Sequence, residues 1–509
     1  METESFNHWL EEKAATQGAN TAITFLREGR AETELSYSRL QADIHQCAHA
    51  LMDLGVQKGD RVILFLPKSV IAAVGHFALL SIGAMAVPLN PGFKQHEMAY
   101  LLGDAEARLV ITDPAHRDLI RAVDPDTDLL VVEAAGLYQA IDFFRSKPES
   151  PPAVEVAAED PALVIYTSGT TGNPKGAVLT HGNLLHDARN IIGIWQMSAD
   201  DVLCHSLPLF HVHGLCFALH TALLSGAHVR LLDQFKPQPV LAELACTTGA
   251  APCTVFMAVP AMYTKLMDYL GDRRPDFSHM RLFTSGSAPL LVKEFGRIAE
   301  RFGREPVERE GMSETGMNFS NPLNGRRIPG SIGLPLPGLQ VRIVDPQRLE
   351  DVPAGEVGEL WLKSAAIIHS YWRKPRETAE AFRDGWFRTG DLGKVDAAGY
   401  YYLTDRIKHI IISGGENVSA KEVETVINQL EGVDESVVVG LPDEKWGEKV
   451  VAAVARKGTA GLTEADIQAH CKKHLHDWKC PKQVIFVDEI PRNTMGKMLK
   501  EEVKKIFLV

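Results

Sequence analysis

Cysteine is scarce in this chain and is not arranged in pairs. Only seven of the 509 residues are cysteine, and they form no CxxC pair. An odd, scattered set argues against a disulfide scaffold and against a cysteine-based zinc site, so we expect reduced, buried thiols in a cytoplasmic protein. The seven residues are Cys47, Cys204, Cys216, Cys246, Cys253, Cys471 and Cys480.

Long apolar runs are also absent from the sequence. The richest stretch, Phe77–Leu89, is short and is interrupted by Ser81, Gly83 and Pro88, whereas a membrane-spanning helix needs about 20 apolar residues. The N-terminal residues METESFNHWLEEKAA are acidic and lack the basic and apolar segments of a secretory signal. We therefore expect no secretory leader and no stable insertion into a membrane.

Positive charge is in deficit. The chain has 53 Lys and Arg residues against 65 Asp and Glu residues, which gives a formal net charge of -12. Such a balance repels nucleic acid and anionic membranes, so we expect neither as a partner. An anionic substrate would need locally placed Lys and Arg side chains. A homodimer is compatible with the sequence.

The chain is long enough for at least two domains, and its elements alternate. Arg61–Leu66 predicts a buried strand, Lys68–Ile82 a helix and Ala84–Leu89 the next strand. This βαβ order is typical of a parallel sheet with helices on its faces. We therefore predict an α/β fold, with a large N-terminal domain of layered sheets and helices and a small, mobile α/β C-terminal domain.

Glycine and proline mark the expected boundary between these domains. They concentrate in Gly325–Gly338, which we predict to be loop, and in Asp384–Gly415. A helix then restarts at Ser419–Leu430, where Ser419 followed by Glu422 is a typical helix start. We place the boundary near 405–408, which divides the chain into residues 1–405 and residues 406–509.

One loop has the composition of a phosphate-binding site. The apolar strand Ala162–Tyr166 runs into TSGTTGNPKG. Its glycines let backbone N–H groups wrap an anion, its hydroxyls add donors, and Lys175 adds a positive charge. The loop is not a P-loop, because Gly176 follows Lys175 where a Ser or Thr would be needed. The loop residues in question are Thr167, Ser168, Gly169, Thr170, Thr171, Gly172 and Lys175.

Together with four further motifs, this loop resembles the adenylate-forming enzymes, which include acyl-CoA synthetases, luciferases and peptide-synthetase adenylation domains. The resemblance extends over essentially the whole chain, because the motifs occur in the family's order. After the loop come GMSETG at 311–316, DGWFRTGD at 384–391, DRIKHIIISGGENV at 405–418 and PRNTMGK at 491–497.

The resemblance implies ATP, Mg²⁺ and coenzyme A as cofactor and co-substrates. In relatives the phosphate loop holds the β- and γ-phosphates, the carboxylate matching Glu314 binds Mg²⁺, and Asp391 matches the ribose ligand. Lys497 matches the lysine that bridges the acid and the α-phosphate, Arg406 a nucleotide contact, and Lys408 the hinge. The other implied nucleotide-site residues are Gly286, Ser287, Ala288, Glu310, Gly311, Met312, Ser313, Gly414 and Gly415.

The acid substrate is less well defined by the resemblance. PLFHVHG, at 208–214, resembles the segment that gates the acid site, with His211 as the gating residue, whereas His213 is equally compatible with a structural role. MRLFTSGSAPLL and GMSETGMNFSNPLNG resemble malonyl-CoA synthetases, in which Arg281 would pair with a second carboxylate. In fatty-acyl-CoA synthetases an Arg there is structural, so a fatty acid and a short dicarboxylic acid both remain open. Ser285 and Met317 complete the expected acid site.

Two departures from the family pattern stand out. Relatives often have an aromatic residue where this chain has Glu310, and a Gly where it has Asp405.

The function predicted is an acid–CoA ligase that acts through an acyl-adenylate. Delivery of the acyl group to a carrier protein, and a non-catalytic nucleotide-binding role, are the alternatives.

We predict that Lys497→Ala abolishes formation of the acyl-adenylate, because the variant lacks the charge that offsets two converging anions. Thioester formation from a supplied acyl-adenylate should be largely retained. Pyrophosphate release and thioester formation, measured separately, test this. Equal loss of both half-reactions would mean that Lys497 is structural.

Overall fold

Strands and helices alternate along most of the chain. The computed structural model describes residues 5–167, 173–247, 252–413, 416–458, 461–492 and 498–507. The chain divides into a larger unit, residues 1–340 and 363–385, and a smaller unit, residues 341–362 and 386–509. The α/β class is confirmed. The division differs from the expected boundary at 405–408, because residues 341–362 and 386–405 group with the C-terminal part.

One sheet of the larger unit carries the phosphate-loop motif. Its central strands are parallel to one another, as the βαβ order predicts. The motif itself connects an antiparallel hairpin formed by Pro161–Thr167 and Lys175–Thr180. Within the described residues the strands, in spatial order, are Ser370–Tyr371, Lys175–Thr180, Pro161–Thr167, Met85–Pro88, Arg61–Phe65, Leu109–Thr112 and Leu129–Val131.

A second sheet of this unit carries the other nucleotide motifs. Several of its neighbouring strands are parallel, so their carboxyl ends meet at one edge, where ligand sites of α/β sheets form. The described strands, in spatial order, are Leu334–Pro335, Gly316–Ser320, Val307–Met312, Leu282–Ser285, Val255–Ala258, Val202–His205, His228–Leu232, Thr21–Arg27 and Arg30–Ser36. The segment predicted as loop at 325–338 thus contains the short strand Leu334–Pro335.

Helices cover these two sheets. The helix expected at 68–82 begins at Val70, because the Ser69 hydroxyl accepts a hydrogen bond from the Ala72 N–H at 3.4 Å. The α-helices of the larger unit are Phe6–Gln17, Tyr37–Asp53, Val70–Ser81, Gln95–Ala105, Pro114–Val123, His181–Trp195, Thr221–Ser225, Pro237–Leu244, Pro260–Leu270, Val292–Phe302 and Pro375–Ala381. Also present are a 3₁₀ turn at Tyr138–Ala140, a π-helix at His213–His220 and a short strand at Phe382–Arg383.

The smaller unit contains two further sheets. In one, Gln340–Val344, Gly358–Lys363, Trp386–Val395 and Tyr401–Arg406 pair in that order. In the other, Glu416–Ser419, Ile410–Ser413, Gly447–Arg456 and Val433–Asp443 pair in order, with Gln483–Val487 beside Gly447–Arg456. The helices are Ala420–Ile427, Glu464–His474 and Lys500–Ile506. A 3₁₀ turn, Ile407–His409, connects the two sheets and contains Lys408.

The helices give no sign of a transmembrane segment. Across the described residues, none of them combines the length and the apolar character needed to cross a bilayer.

Candidate active site

The phosphate hairpin holds Thr167 and Lys175 side by side. The two residues face each other in the strand register, and the Thr167 hydroxyl donates to the Lys175 carbonyl at 3.3 Å. The Lys175 ammonium lies 5.2 Å from the centre of the Tyr371 ring, at cation–π distance. The predicted Ser168, Gly169, Thr170, Thr171 and Gly172 lie outside the described residues.

The acidic motif occupies the turn of a second hairpin, between Val307–Met312 and Gly316–Ser320. Glu314 is buried, and one of its carboxylate oxygens accepts the Tyr371 hydroxyl at 3.1 Å. Gly316 has φ of +71°, and a Cβ there would lie 2.7 Å from an Asp187 oxygen. Only glycine therefore fits at this position of the turn.

The oxygen chemistry of Glu314 fits Mg²⁺. This ion favours one or two protein carboxylates together with substrate phosphates, rather than an all-protein cage. Within the described residues no group of three or more His, Cys, Asp or Glu side chains is placed to hold a metal ion. Glu314 could therefore serve as a single protein ligand to Mg²⁺, with ATP phosphates supplying further ligands.

The SGSAPL segment begins where the strand Leu282–Ser285 ends, at the carboxyl edge of the nine-stranded sheet. Ser287 adopts a left-handed conformation, with φ of +67°, and its hydroxyl shares a 3.1 Å hydrogen bond with His213 Nδ1. Non-glycine residues rarely take this conformation, which concentrates at functional loops. His213 begins a π-helix, His213–His220, a form that also tends to occur at functional sites.

Arg309 lies against this segment and was not predicted from the sequence. Its side chain is 2% exposed, and none of its guanidinium nitrogens has a hydrogen-bond partner among the described residues. A Cβ on Gly286 would lie 2.5 Å from the guanidinium carbon, so any larger residue there would displace the Arg309 side chain. The guanidinium also stacks on Phe217, at 5.0 Å from the ring centre.

The histidines near Arg309 are uncharged at neutral pH. Burial lowers the pKa of His211 to about 4. Burial, and then the positive charge of Arg309, hold the pKa of His213 well below its usual range. Neither imidazole therefore carries a positive charge at neutral pH, whereas Arg309, whose pKa burial lowers to about 10, does.

Arg309 has two acidic neighbours, Glu310 and Asp187, whose charges oppose the lowering of its pKa by burial. Asp187 lies on the helix His181–Trp195 and accepts the Met317 N–H at 2.8 Å. Burial raises its pKa to about 7, although the Met317 hydrogen bond and Arg309 act in the opposite direction. Asp187 therefore carries only a partial charge at neutral pH and does not fully compensate Arg309.

The two departures from the family pattern have local structural roles. The Glu310 carboxylate accepts the Asn318 side-chain amide at 3.1 Å. Asp405 accepts the Ser419 hydroxyl at 2.7 Å and the Lys421 N–H at 3.0 Å. Burial alone would raise the pKa of Asp405, but these bonds and His409 lower it. Asp405 thus holds the start of the helix Ala420–Ile427.

In the smaller unit, Asp391 and Arg406 form an ion pair. They face each other on adjacent strands, and the Arg406 Nε lies 2.7 Å from an Asp391 oxygen. The predicted ribose ligand and nucleotide-contacting arginine are therefore close together. Lys408 lies two residues further, in the 3₁₀ turn. The predicted Gly414, Gly415 and Lys497 lie outside the described residues.

Arg281 does not have the environment of a substrate ligand. Its guanidinium donates to both oxygens of Asp201, at 2.5 and 2.6 Å, and to the Trp195 carbonyl at 2.9 Å. The Asp201 side chain is 3% exposed, so this arginine neutralises a buried carboxylate of the fold. We therefore reassign Arg281 from the acid site to a structural ion pair.

The comparisons with known proteins agree with this fold and these motifs, which define an ATP-dependent acid-activating enzyme. Residues 10–372 match the family model of AMP-binding enzymes, and residues 422–497 match that of the AMP-binding enzyme C-terminal domain. The chain therefore belongs to the AMP-binding enzyme family. It is a carboxylic acid–CoA ligase that acts through an acyl-adenylate, with ATP, Mg²⁺ and coenzyme A.

Individual relatives differ in their acid. The chain is 33% identical to a feruloyl-CoA synthase from Amycolatopsis sp, over all of both sequences. It is 35% identical to the mitochondrial malonate–CoA ligase ACSF3 of Mus musculus, over 89% of this chain and 82% of that protein. The structure of ATP-bound MatB from Rhodopseudomonas palustris superposes with a TM-score of 0.93 at 37% identity, over 99% of each chain.

We predict that Arg281→Met lowers stability without changing the choice of acid. The variant leaves the buried Asp201 carboxylate unpaired, which costs about 3 kcal/mol, and the midpoint of thermal unfolding should fall by about 5 °C. Arg281→Lys, which keeps the charge, should recover part of this loss. Thermal unfolding, together with kcat/KM for malonate and for butyrate, tests the assignment. A changed ratio of the two kcat/KM values in Arg281→Met would return this residue to the acid site.

Proposed function

We propose that this ligase activates a short dicarboxylic acid, such as malonate. The single observation that carries the proposal is the buried Arg309 guanidinium. Burying a charge without a partner is costly, and the cost is offset when a ligand supplies the opposite charge. A second, distal carboxylate on the acid would do this, whereas a fatty or aromatic acid would leave the charge uncompensated.

The surroundings of Arg309 support a site for an anion of limited length. Gly286 and Ser287, which touch Arg309 and His213, belong to the segment that the family pattern assigns to the nucleotide and acyl group. Because a Cβ on Gly286 would collide with Arg309, the guanidinium lies directly against this backbone. A carboxylate held here would therefore lie beside the segment that the family pattern assigns to the nucleotide and acyl group.

The reaction has two steps. A carboxylate oxygen of the acid bonds to the α-phosphorus of ATP, and the bond to pyrophosphate breaks. The coenzyme A sulfur then bonds to the acyl carbon, AMP leaves, and the thiol proton is released. Mg²⁺ held by Glu314 would neutralise charge on the phosphates. In this proposal Thr167 and Lys175 bind the β- and γ-phosphates, Asp391 binds the ribose, and Arg309 holds the distal carboxylate.

The remaining residue assignments in this scheme are also proposals. Lys497 bridges the two anions during adenylation. Lys408 is the hinge that lets the Gly414–Gly415 region replace Lys497 for the thioester step. His211, which is uncharged at neutral pH, is the gating residue of the acid site. A cytoplasmic location and a homodimer remain predictions.

We predict that Arg309→Met exchanges the acid preference. The KM for malonate should rise by about 100-fold or more, because a buried pair broken on one side loses about 3–5 kcal/mol. Use of butyrate, an uncharged acid of similar length, should improve. Pyrophosphate release with each acid, measured with and without coenzyme A, tests both expectations.

Thermal unfolding of the same variant separates recognition from folding. Methionine replaces an unpaired buried charge with an apolar side chain of similar reach, so the unfolding midpoint should stay constant or rise. Arg281→Met is the matched control, because it removes the same group from a structural ion pair. A fall in stability for Arg309→Met with no exchange between malonate and butyrate would refute the dicarboxylate proposal.

A further inference from the structure

The segment 365–372 connects the two hairpins of the larger unit that carry the phosphate loop and the acidic motif. On one side, Tyr371 pairs with Ala177 of the phosphate hairpin, and the Trp372 N–H donates to the Gly176 carbonyl at 2.7 Å. On the other side, the Ile368 N–H donates to the Glu314 carbonyl at 2.9 Å. The backbone of this segment therefore fixes the spacing between Lys175 and Glu314.

The Tyr371 side chain touches both of these functional residues. Its hydroxyl donates to a Glu314 carboxylate oxygen at 3.1 Å, and its ring centre lies 5.2 Å from the Lys175 ammonium. The side chain is 7% exposed, so it has little freedom to leave these contacts. One residue thus contacts both the cation of the phosphate hairpin and the carboxylate of the acidic motif.

Further hydrogen bonds hold the segment in place. The Asn183 amide donates to the carbonyls of Ala365, at 2.8 Å, and Ile367, at 3.1 Å. Asn183 is itself fixed, because it forms a reciprocal cap with Thr180 at the start of the helix His181–Trp195. The Tyr371 N–H donates to the Thr378 hydroxyl at 3.0 Å. Tyr371 is therefore held by hydrogen bonds that do not involve the Glu314 carboxylate.

We propose that Tyr371 is a positioning residue for the metal site: its hydroxyl orients the Glu314 carboxylate toward the magnesium ion that accompanies ATP. The inference rests on the proposed role of Glu314 as metal ligand and does not depend on the identity of the acid. Partners that hydrogen-bond to a metal ligand fix its direction, and their loss typically costs about 10- to 100-fold in metal affinity or activity. The ring has a second role, since it holds the Lys175 ammonium near the phosphates.

The test removes the hydroxyl and keeps the ring. Mn²⁺ binding in the presence of α,β-methylene ATP can be measured by electron paramagnetic resonance. For Tyr371→Phe we expect the Mn²⁺ concentration that half-saturates the enzyme to rise about tenfold or more. The Mg²⁺ concentration needed for half-maximal adenylation should rise in parallel. Affinity for α,β-methylene ATP without metal should stay constant, because the ring beneath Lys175 remains. In Tyr371→Leu, which also lacks the ring, the metal-free affinity should fall as well.

Tyr138→Phe is the matched control. The Tyr138 hydroxyl also donates to a buried carboxylate, that of Asp43, at 2.6 Å, but it touches none of the site residues. Its Mn²⁺ binding should equal that of the unmodified enzyme, and its loss of thermal stability measures the cost of such a bond. The inference is overturned if Tyr371→Phe binds Mn²⁺ normally. It is also overturned if metal-free nucleotide affinity falls equally in the Phe and Leu variants. Because no acid is present, these outcomes are independent of the dicarboxylate proposal.

Discussion

A buried guanidinium without a hydrogen-bond partner among the described residues is the constraint on which the proposed acid site depends. Arg309 is held by the strand Val307–Met312 and covered by Gly286 and Phe217. Its charge helps to keep His213 neutral, while Asp187, whose pKa burial raises to about 7, compensates it only in part. In the proposed acid site, a bound carboxylate would offset part of the energy lost by burying this positive charge.

The rest of the site meets a related electrostatic requirement. An acid and ATP are both anions, and the chain as a whole has a net charge of -12, so local cations must offset their repulsion. The segment 365–372 links Lys175 to Glu314 through backbone hydrogen bonds and through Tyr371. This spacing is fixed before any ligand enters. It would set the distance between the ATP phosphates and the Glu314 carboxylate, which is proposed to hold their metal ion. Preorganisation of this kind removes the cost of reorganising charges during the reaction.

The sequence predicted those features that depend on neighbouring residues. The strand predicted at Arg61–Leu66 is observed at Arg61–Phe65, and Ser419 caps the helix that was predicted to begin there. The region at 384–415, for which only a concentration of glycine and proline was noted, contains the strands Trp386–Val395, Tyr401–Arg406 and Ile410–Ser413. Glycine and turn residues there mark the bends between strands, and composition alone does not separate bends from loops.

Features that depend on distant partners could not be predicted. Arg281 resembled a substrate ligand until its partner Asp201, 80 positions away, was known. Tyr371 meets Glu314 across 57 positions. Arg309 is significant because its guanidinium lacks a hydrogen-bond partner among the described residues, which no local sequence pattern reveals. In a half-buried strand, buried and exposed residues alternate. In Val307–Met312 the consecutive residues Glu308 and Arg309 are both buried, so no alternation in the sequence could indicate that Arg309 faces inward.

We propose that the protein selects its acid by a second carboxylate. The most direct measurement is pyrophosphate release by the unmodified enzyme with ATP, Mg²⁺ and coenzyme A, comparing malonate, butyrate and ferulate. We expect a kcat/KM for malonate about 100-fold or more above that for butyrate, since an uncharged acid leaves Arg309 without a substrate carboxylate, at a cost of about 3 kcal/mol or more. Release with butyrate or ferulate but not with malonate would contradict it.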